Sequence, residues 1–148
     1  MDLLNRKCWL RAGIGMLGAV LAVQLVPVGR DHANPPVTGE PTWDVPETRA
    51  LAKQACFDCH SNETRWPAYA SVAPVSWLVQ HDVTEGRATL NFSEWPRPQE
   101  RAKQASEEVV EGDMPPVAYT LLHAHARLSP ADRDRLAEGL ARTLGEPR

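Results

Sequence analysis

The sequence predicts an all-α protein, a helical domain preceded by a single apolar N-terminal helix. Three observations predict it. Beyond residue 46 the apolar residues recur at three- and four-residue intervals, the period of helices lying on a core. No convincing apolar–polar alternation of the strand type occurs there. Ahead of that region, Ala12 to Gly29 is a run of 18 residues without a charge, close to the length that crosses a bilayer.

The elements follow in order. Residues 1–11 form a short N-terminus in which Arg6, Lys7 and Arg11 precede the apolar run, whereas Arg30 and Asp31 nearly cancel after it. The positive-inside rule therefore places 1–11 in the cytoplasm, makes 12–29 a transmembrane signal-anchor and puts the remainder outside. The rival is a signal peptide cleaved after Val20-Leu21-Ala22, which would release a soluble periplasmic protein. Its apolar core would be short, so the anchor is the preferred reading. Residues 30–46 hold Pro35, Pro36, Pro41, Pro46 and Gly39, and read as an extended tether.

Residues 47–148 form the domain. Asp44 is placed to cap a helix from about Pro46 into Cys56, with Leu51, Ala52 and Ala55 on one face. A second helix covers 71–83, with Val75, Leu78 and Val79 in register and Pro74 in the first turn or at a kink. A third, over 98–111, has the narrow stripe Ala102, Ala105 and Val109 and stops at Gly112. A short helix is expected over 119–126. The last opens on Ser129 as cap, Pro130 as first residue and Asp132 in the first turn. It buries Leu136, Ala137, Leu140, Ala141 and Leu144 and ends at Gly145. Residues 84–97 carry no readable pattern. The apolar faces are thin, and a core made from them alone would be weak.

Charge divides along the chain. Residues 1–30 carry four basic and one acidic side chain, and residues 31–148 carry twelve basic and eighteen acidic. An acidic domain argues against nucleic acid and against tight docking on anionic lipid. Three cysteines are too few for a disulfide scaffold.

The chemistry is concentrated at Cys56-Phe57-Asp58-Cys59-His60, a C-x-x-C-H pattern that points to covalent haem attachment. Two thiols three residues apart share one face of a helical turn and can form thioethers to the two haem vinyls. The adjacent imidazole then falls under the iron as an axial ligand. C-x-x-C alone would leave zinc and dithiol redox chemistry open; the following His narrows the choice, and the βαβ context of a dithiol enzyme is missing. No second motif occurs, so one haem is expected. Cys8 is left as a free thiol before the apolar run.

The sixth iron position decides what such a haem does. Residues 31–148 contain one methionine, Met114, 54 residues after His60 in Gly112-Asp113-Met114-Pro115-Pro116. Two prolines fix the chain direction after it and forbid helix there. A thioether on a rigid loop suits a distal ligand, and a Met outside any amphipathic face is a poor gap-filler. Cys56, Cys59, His60 and Met114 are thus the expected cofactor-binding residues, with His60 and Met114 on the metal. His123 is the runner-up distal ligand, followed by His81 and His125; His32 lies in the tether. Arg65 and Arg87 are candidates to pair with haem propionates, with surface solvation the plainer alternative. Asn62-Glu63-Thr64 matches a glycosylation sequon by coincidence.

These residues resemble a known family, the small haem-binding domain family of bacterial membrane-anchored, monohaem cytochrome-c-like proteins. The resemblance rests on Arg30-Asp31-His32-Ala33-Asn34-Pro35-Pro36-Val37 and on Cys56 through Pro67. Ala73-Pro74-Val75-Ser76-Trp77-Leu78, Gly86-Arg87, Leu90-Asn91-Phe92-Ser93-Glu94-Trp95 and Gly112 through Pro116 extend it, with Tyr119, His123 and Leu128-Ser129. It spans nearly everything after the apolar run except residues 45–54. The resemblance implies haem c on Cys56, Cys59 and His60, a cytochrome-c-like helical fold and Met114 as distal ligand.

The expected function is that of a membrane-anchored monohaem c-type cytochrome, with its haem domain facing the periplasm from the bacterial inner membrane. It would transfer electrons with unidentified redox partner proteins, without catalytic residues. The alternatives are a peroxidase-like enzyme, with His123 or His81 above an exchangeable sixth position, and a haem subunit or sensor.

Overall fold

The computed structural model describes residues 3–145, with side chains from Arg6 onward. Every regular element among them is helical: α1 (Leu3–Val23), α2 (Pro46–Ala55), α3 (Phe57–His60), α4 (Val75–Thr89), α5 (Ala105–Glu111), α6 (Val117–Leu122) and α7 (Pro130–Leu144). Short 3₁₀ turns occupy Ala68–Ser71, Ala102–Gln104 and Ala124–Ala126. The all-α expectation holds. Two compact units result, Met1–His32 with Trp66–His81, and Ala33–Arg65 with Asp82–Arg148.

In the first unit, the uncharged run over 12–29 does not form one helix, which corrects the expected transmembrane span. α1 begins upstream, takes in Arg6, Lys7 and Arg11, and ends at Val23. Pro27 accounts for the end: its ring clashes with the carbonyl four residues back, that of Val23, and it has no N–H to donate. No described helix is long and apolar enough to cross a membrane. After α1, the Gln24 side chain donates to Ala73 O (2.8 Å) and accepts from Ala73 N–H (3.0 Å). The His32 ring stacks on Trp66 at 4.6 Å and its Nε2 lies 3.1 Å from Ala70 O.

In the second unit, α5 and α2 both pack on α7. Gly139 of α7 is required where α2 crosses, since a Cβ there would lie 2.1 Å from Thr48 Oγ1. Phe57 and Phe92, each 1% exposed, stack at 5.5 Å with Trp43 against both. Leu51, Val109, Leu136 and Leu140 complete the centre of the core. α7 starts as expected, with Asp132 N–H donating to Ser129 Oγ at 3.1 Å. Leu136, Ala137 and Leu140 are buried on it, Gly139 with them.

Other boundaries differ from expectation for identifiable reasons. Val45, not Asp44, is the residue before α2; the Asp44 carboxylate instead receives Arg142 Nε (2.7 Å) and the Thr143 hydroxyl (3.1 Å) of α7. α4 continues through Thr89, because Val83, Gly86 and Leu90 form a buried stripe that the glycine conceals in the sequence. Residues 98–101 stay outside α5: Gln99 accepts from Asn91 N–H (2.9 Å) and donates to Glu94 O (2.9 Å), holding the segment against the preceding loop. Gly112 closes α5 at φ +87°. α6 stops at Leu122 and passes into the turn at Ala124.

The proline-rich stretch keeps close company with this unit. Asn34 Nδ2 donates to Thr64 O (2.9 Å), Thr38 N–H to Ser93 O (2.9 Å), and Trp95 N–H to Gly39 O (3.0 Å).

Candidate functional site

α3 is a single turn, and it carries the C-x-x-C-H motif. Cys56 lies at the junction with α2, its N–H donating to Ala52 O at 2.8 Å. Its carbonyl then accepts from Cys59 N–H (3.1 Å) and His60 N–H (2.9 Å). This winding brings both thiols and the imidazole onto one turn, as the spacing predicts. The thiols are free and partly buried. Burial pushes the Cys56 thiol up to about 12 and the Cys59 thiol up to about 11. Dithiol redox enzymes need the opposite, a thiolate at neutral pH.

His60 is oriented through its other ring nitrogen. Nδ1 lies 3.0 Å from Gly86 O and 3.1 Å from Leu90 O, both at the end of α4. Carbonyls only accept, so Nδ1 carries the proton and Nε2 keeps its lone pair. Burial holds the imidazole below its ordinary value, favouring the neutral form. A neutral imidazole whose second nitrogen is tied to a carbonyl is the usual state of a metal-binding histidine.

Gly86 makes this possible. A Cβ at that position would lie 2.6 Å from Cys59 O and 3.1 Å from Cys59 Cβ, so only glycine lets α4 approach the motif. The role of Gly86 was not legible beforehand; a lone glycine inside a helical pattern was the available signal.

A polar shell holds the turn. Phe92 N–H donates to His60 O (2.8 Å), Ser61 Oγ to Phe57 O (2.7 Å) and Thr64 Oγ1 to Asp58 O (2.8 Å). Asn62, 3% exposed, donates to Pro36 O and Glu94 Oε1 and accepts from Asn91 Nδ2. Its amide is fully engaged inside the protein, so the sequon match has no accessible acceptor. Arg87 donates to Ser61 O (2.9 Å), Asn34 Oδ1 (2.8 Å) and Thr64 Oγ1 (2.9 Å), bracing the chain just past His60.

Asp58, between the two cysteines, is buried. Its carboxylate accepts from Tyr119 Oη (2.6 Å), Arg65 N–H (3.0 Å) and Arg65 Nε (3.2 Å). Burial alone would raise its pKa; the bonds from Tyr119 and Arg65 outweigh that and leave it lowered. Arg65 thus serves the motif as an internal partner.

The remaining candidates are spread over several elements. Met114 is half-buried in the loop after α5, packed against the apolar core, with its N–H on Glu108 O (3.0 Å). The His123 ring stacks on Tyr119 at 4.1 Å, its Nδ1 3.0 Å from Tyr119 O. His125 is exposed beside Arg65 Nη2, 2.9 Å away. His81 is exposed on α4.

Residues 18–142 match the family model described as the haem-binding domain. The chain belongs to the haem-binding domain family. No curated protein and no solved structure matches it. The donor set of this haem-binding domain fits that cofactor: two free thiols, a neutral imidazole with Nε2 available, and a thioether in the same unit.

Proposed function

We propose that this haem-binding domain is a monohaem c-type cytochrome that carries electrons on the periplasmic side of the bacterial inner membrane. The observation that carries the reading is the tautomer of His60, fixed by the Gly86 and Leu90 carbonyls, with free Cys59 beside it and free Cys56 one turn earlier. Cys56 and Cys59 would hold the haem through thioethers to its vinyl groups, and His60 Nε2 and Met114 Sδ would be the iron ligands. The haem iron supplies a one-electron couple. The protein's part is to hold both ligands, keep His60 neutral and surround them with apolar groups. His123 is the alternative sixth ligand, supported by its place nine residues after Met114, with its ring oriented by Tyr119 O at 3.0 Å from Nδ1. The partners are redox proteins.

Attachment to the membrane through the N-terminal apolar segment is supported by α1 itself. Beyond Arg11 it is apolar on every side, and Ile14, Met16, Leu17, Val20 and Leu21 are all exposed. A helix apolar all round calls for an apolar surrounding.

The test is expression with c-type maturation machinery. Haem that stays with the polypeptide in a denaturing gel, and leaves it in Cys56→Ala plus Cys59→Ala, supports covalent attachment; free haem refutes it. A Met-to-iron charge-transfer band that vanishes in Met114→Ala, with indifference to carbon monoxide, supports the carrier. Ready carbon monoxide binding by the unmodified protein overturns it.

A further inference from the structure

We propose that the hydrogen bond from Tyr119 to Asp58 positions the distal ligand loop, tying the segment that carries Met114 to the turn that carries His60. The proposal rests on the His60–Met114 reading and adds the device that sets the separation of the two ligands.

Asp58 stands on α3 between the two cysteines, so its carboxylate moves with the motif. Tyr119 stands on α6, five residues past Met114, with Pro115 and Pro116 stiffening the connection. The Tyr119 hydroxyl is 2.6 Å from Asp58 Oδ2, the usual length for an O–H donor on a carboxylate, a stronger class of hydrogen bond than a neutral pair. No residue of α6 is buried, and its apolar Val117, Leu121 and Leu122 are each about two-thirds exposed. Packing does not locate this helix. Between Met114, which rests on the core, and Ala126, which is buried, the Tyr119 hydroxyl makes the direct bond from α6 itself to the motif, with His125 past the end of α6 reaching Arg65 Nη2 at 2.9 Å. Arg65 donates to both oxygens of the same carboxylate, Nε to Oδ1 at 3.2 Å and Nη2 to Oδ2 at 3.4 Å, which fixes its orientation.

A thioether is a weak iron ligand and stays bound only while the fold presents it. Release of α6 lets the loop drift and opens the sixth position. Tyr119→Phe deletes the hydroxyl alone and keeps the ring that stacks on His123. The matured Tyr119→Phe protein should retain covalent haem, lose intensity in the Met-to-iron charge-transfer band and bind carbon monoxide roughly tenfold more readily, the scale expected for one hydrogen bond to a charged group. Amides of residues 117–122 should exchange hydrogen faster, with those of α7 unchanged. An undiminished band and unchanged carbon monoxide behaviour in Tyr119→Phe would overturn the proposal. So would exchange accelerated equally in α7, which would mean general loosening. If the unmodified protein lacks the charge-transfer band, the His60–Met114 reading fails by itself, and exchange in 117–122 then decides whether the tie exists.

Discussion

Replacing Gly86 with alanine sets two effects of opposite sign against each other. Gly86 lies inside α4, and in an isolated helix alanine there would be about 1 kcal/mol better. Its Cβ would meet Cys59 O at 2.6 Å, Cys59 C at 3.0 Å and Cys59 Cβ at 3.1 Å. The first two are backbone atoms of a turn held at Cys56 O, Phe57 O, Asp58 O and His60 O, so α4 has to move. Overpacking of this kind costs about 1–3 kcal/mol. The shift also lengthens the bonds from His60 Nδ1 to Gly86 O and Leu90 O, at about 1 kcal/mol. The clash wins, and Gly86→Ala should be destabilised by about 1–3 kcal/mol. That corresponds to a fall of roughly 5–15 °C in Tm for a unit of this size. Thermal unfolding of the haem-loaded protein, followed by far-UV circular dichroism, measures it. A variant as stable as the parent, or more so, would show helix propensity prevailing and would refute the close approach of α4 to Cys59.

Gly139→Ala places a methyl 2.1 Å from Thr48 Oγ1 and should cost about 1–3 kcal/mol in urea unfolding; Thr48→Ala in the same chain should restore part of it, and strict additivity would argue against the contact. Asn62→Ala strips a partner from Asn91, Pro36 O and Glu94 and should lower stability by about 1–3 kcal/mol, with an unchanged urea midpoint as the contrary result. Acid should weaken the haem-free protein in two stages. His60 and Asp58 both have folded pKa values below their ordinary 6.5 and 3.8, so each contributes stability above its ordinary value that is lost as pH falls through the lowered one. Urea unfolding across pH 7 to 3 reads both stages, and on the proposed ligation by His60, haem loading should abolish the upper one. A flat profile from pH 7 to 5 without haem would contradict the burial of His60.

Local signals were legible in the sequence where the physics is local. The Ser129-Pro130-Ala131-Asp132 start of α7, the Gly112 stop and the C-x-x-C-H turn all rest on bonds within a few residues. The misread parts depend on distant partners. Asp44 looked like a cap but meets Arg142 and Thr143, about 98 residues away. Residues 98–101 have helical periodicity, yet Gln99 is claimed by Asn91 and Glu94. The buried stripe of α4 was hidden by Gly86, whose absent side chain is what fits. Arg65 and Arg87 were offered to a ligand because their carbonyl and carboxylate partners, Asp58 among them, carry no sequence mark of burial.

The site is a product of the domain more than of the five residues that announce it. A helix of four residues cannot hold itself, since nucleating a turn fixes several dihedrals for one hydrogen bond. α3 keeps its shape because bonds reach it from elsewhere: Phe92 N–H on His60 O, Ser61 on Phe57 O, Thr64 on Asp58 O, and Tyr119 and Arg65 on the Asp58 carboxylate. Phe57 anchors the same turn in the apolar core against Phe92. The thin helical faces predict a weak core, but this turn is braced by protein groups on several sides. The pentapeptide moved to another helix end would therefore carry the two thiols with it, while His60 would lose the Gly86 and Leu90 carbonyls that choose its tautomer. The thiols travel with the motif; the choice of the His60 tautomer stays with Gly86 of α4 and the carbonyl of Leu90.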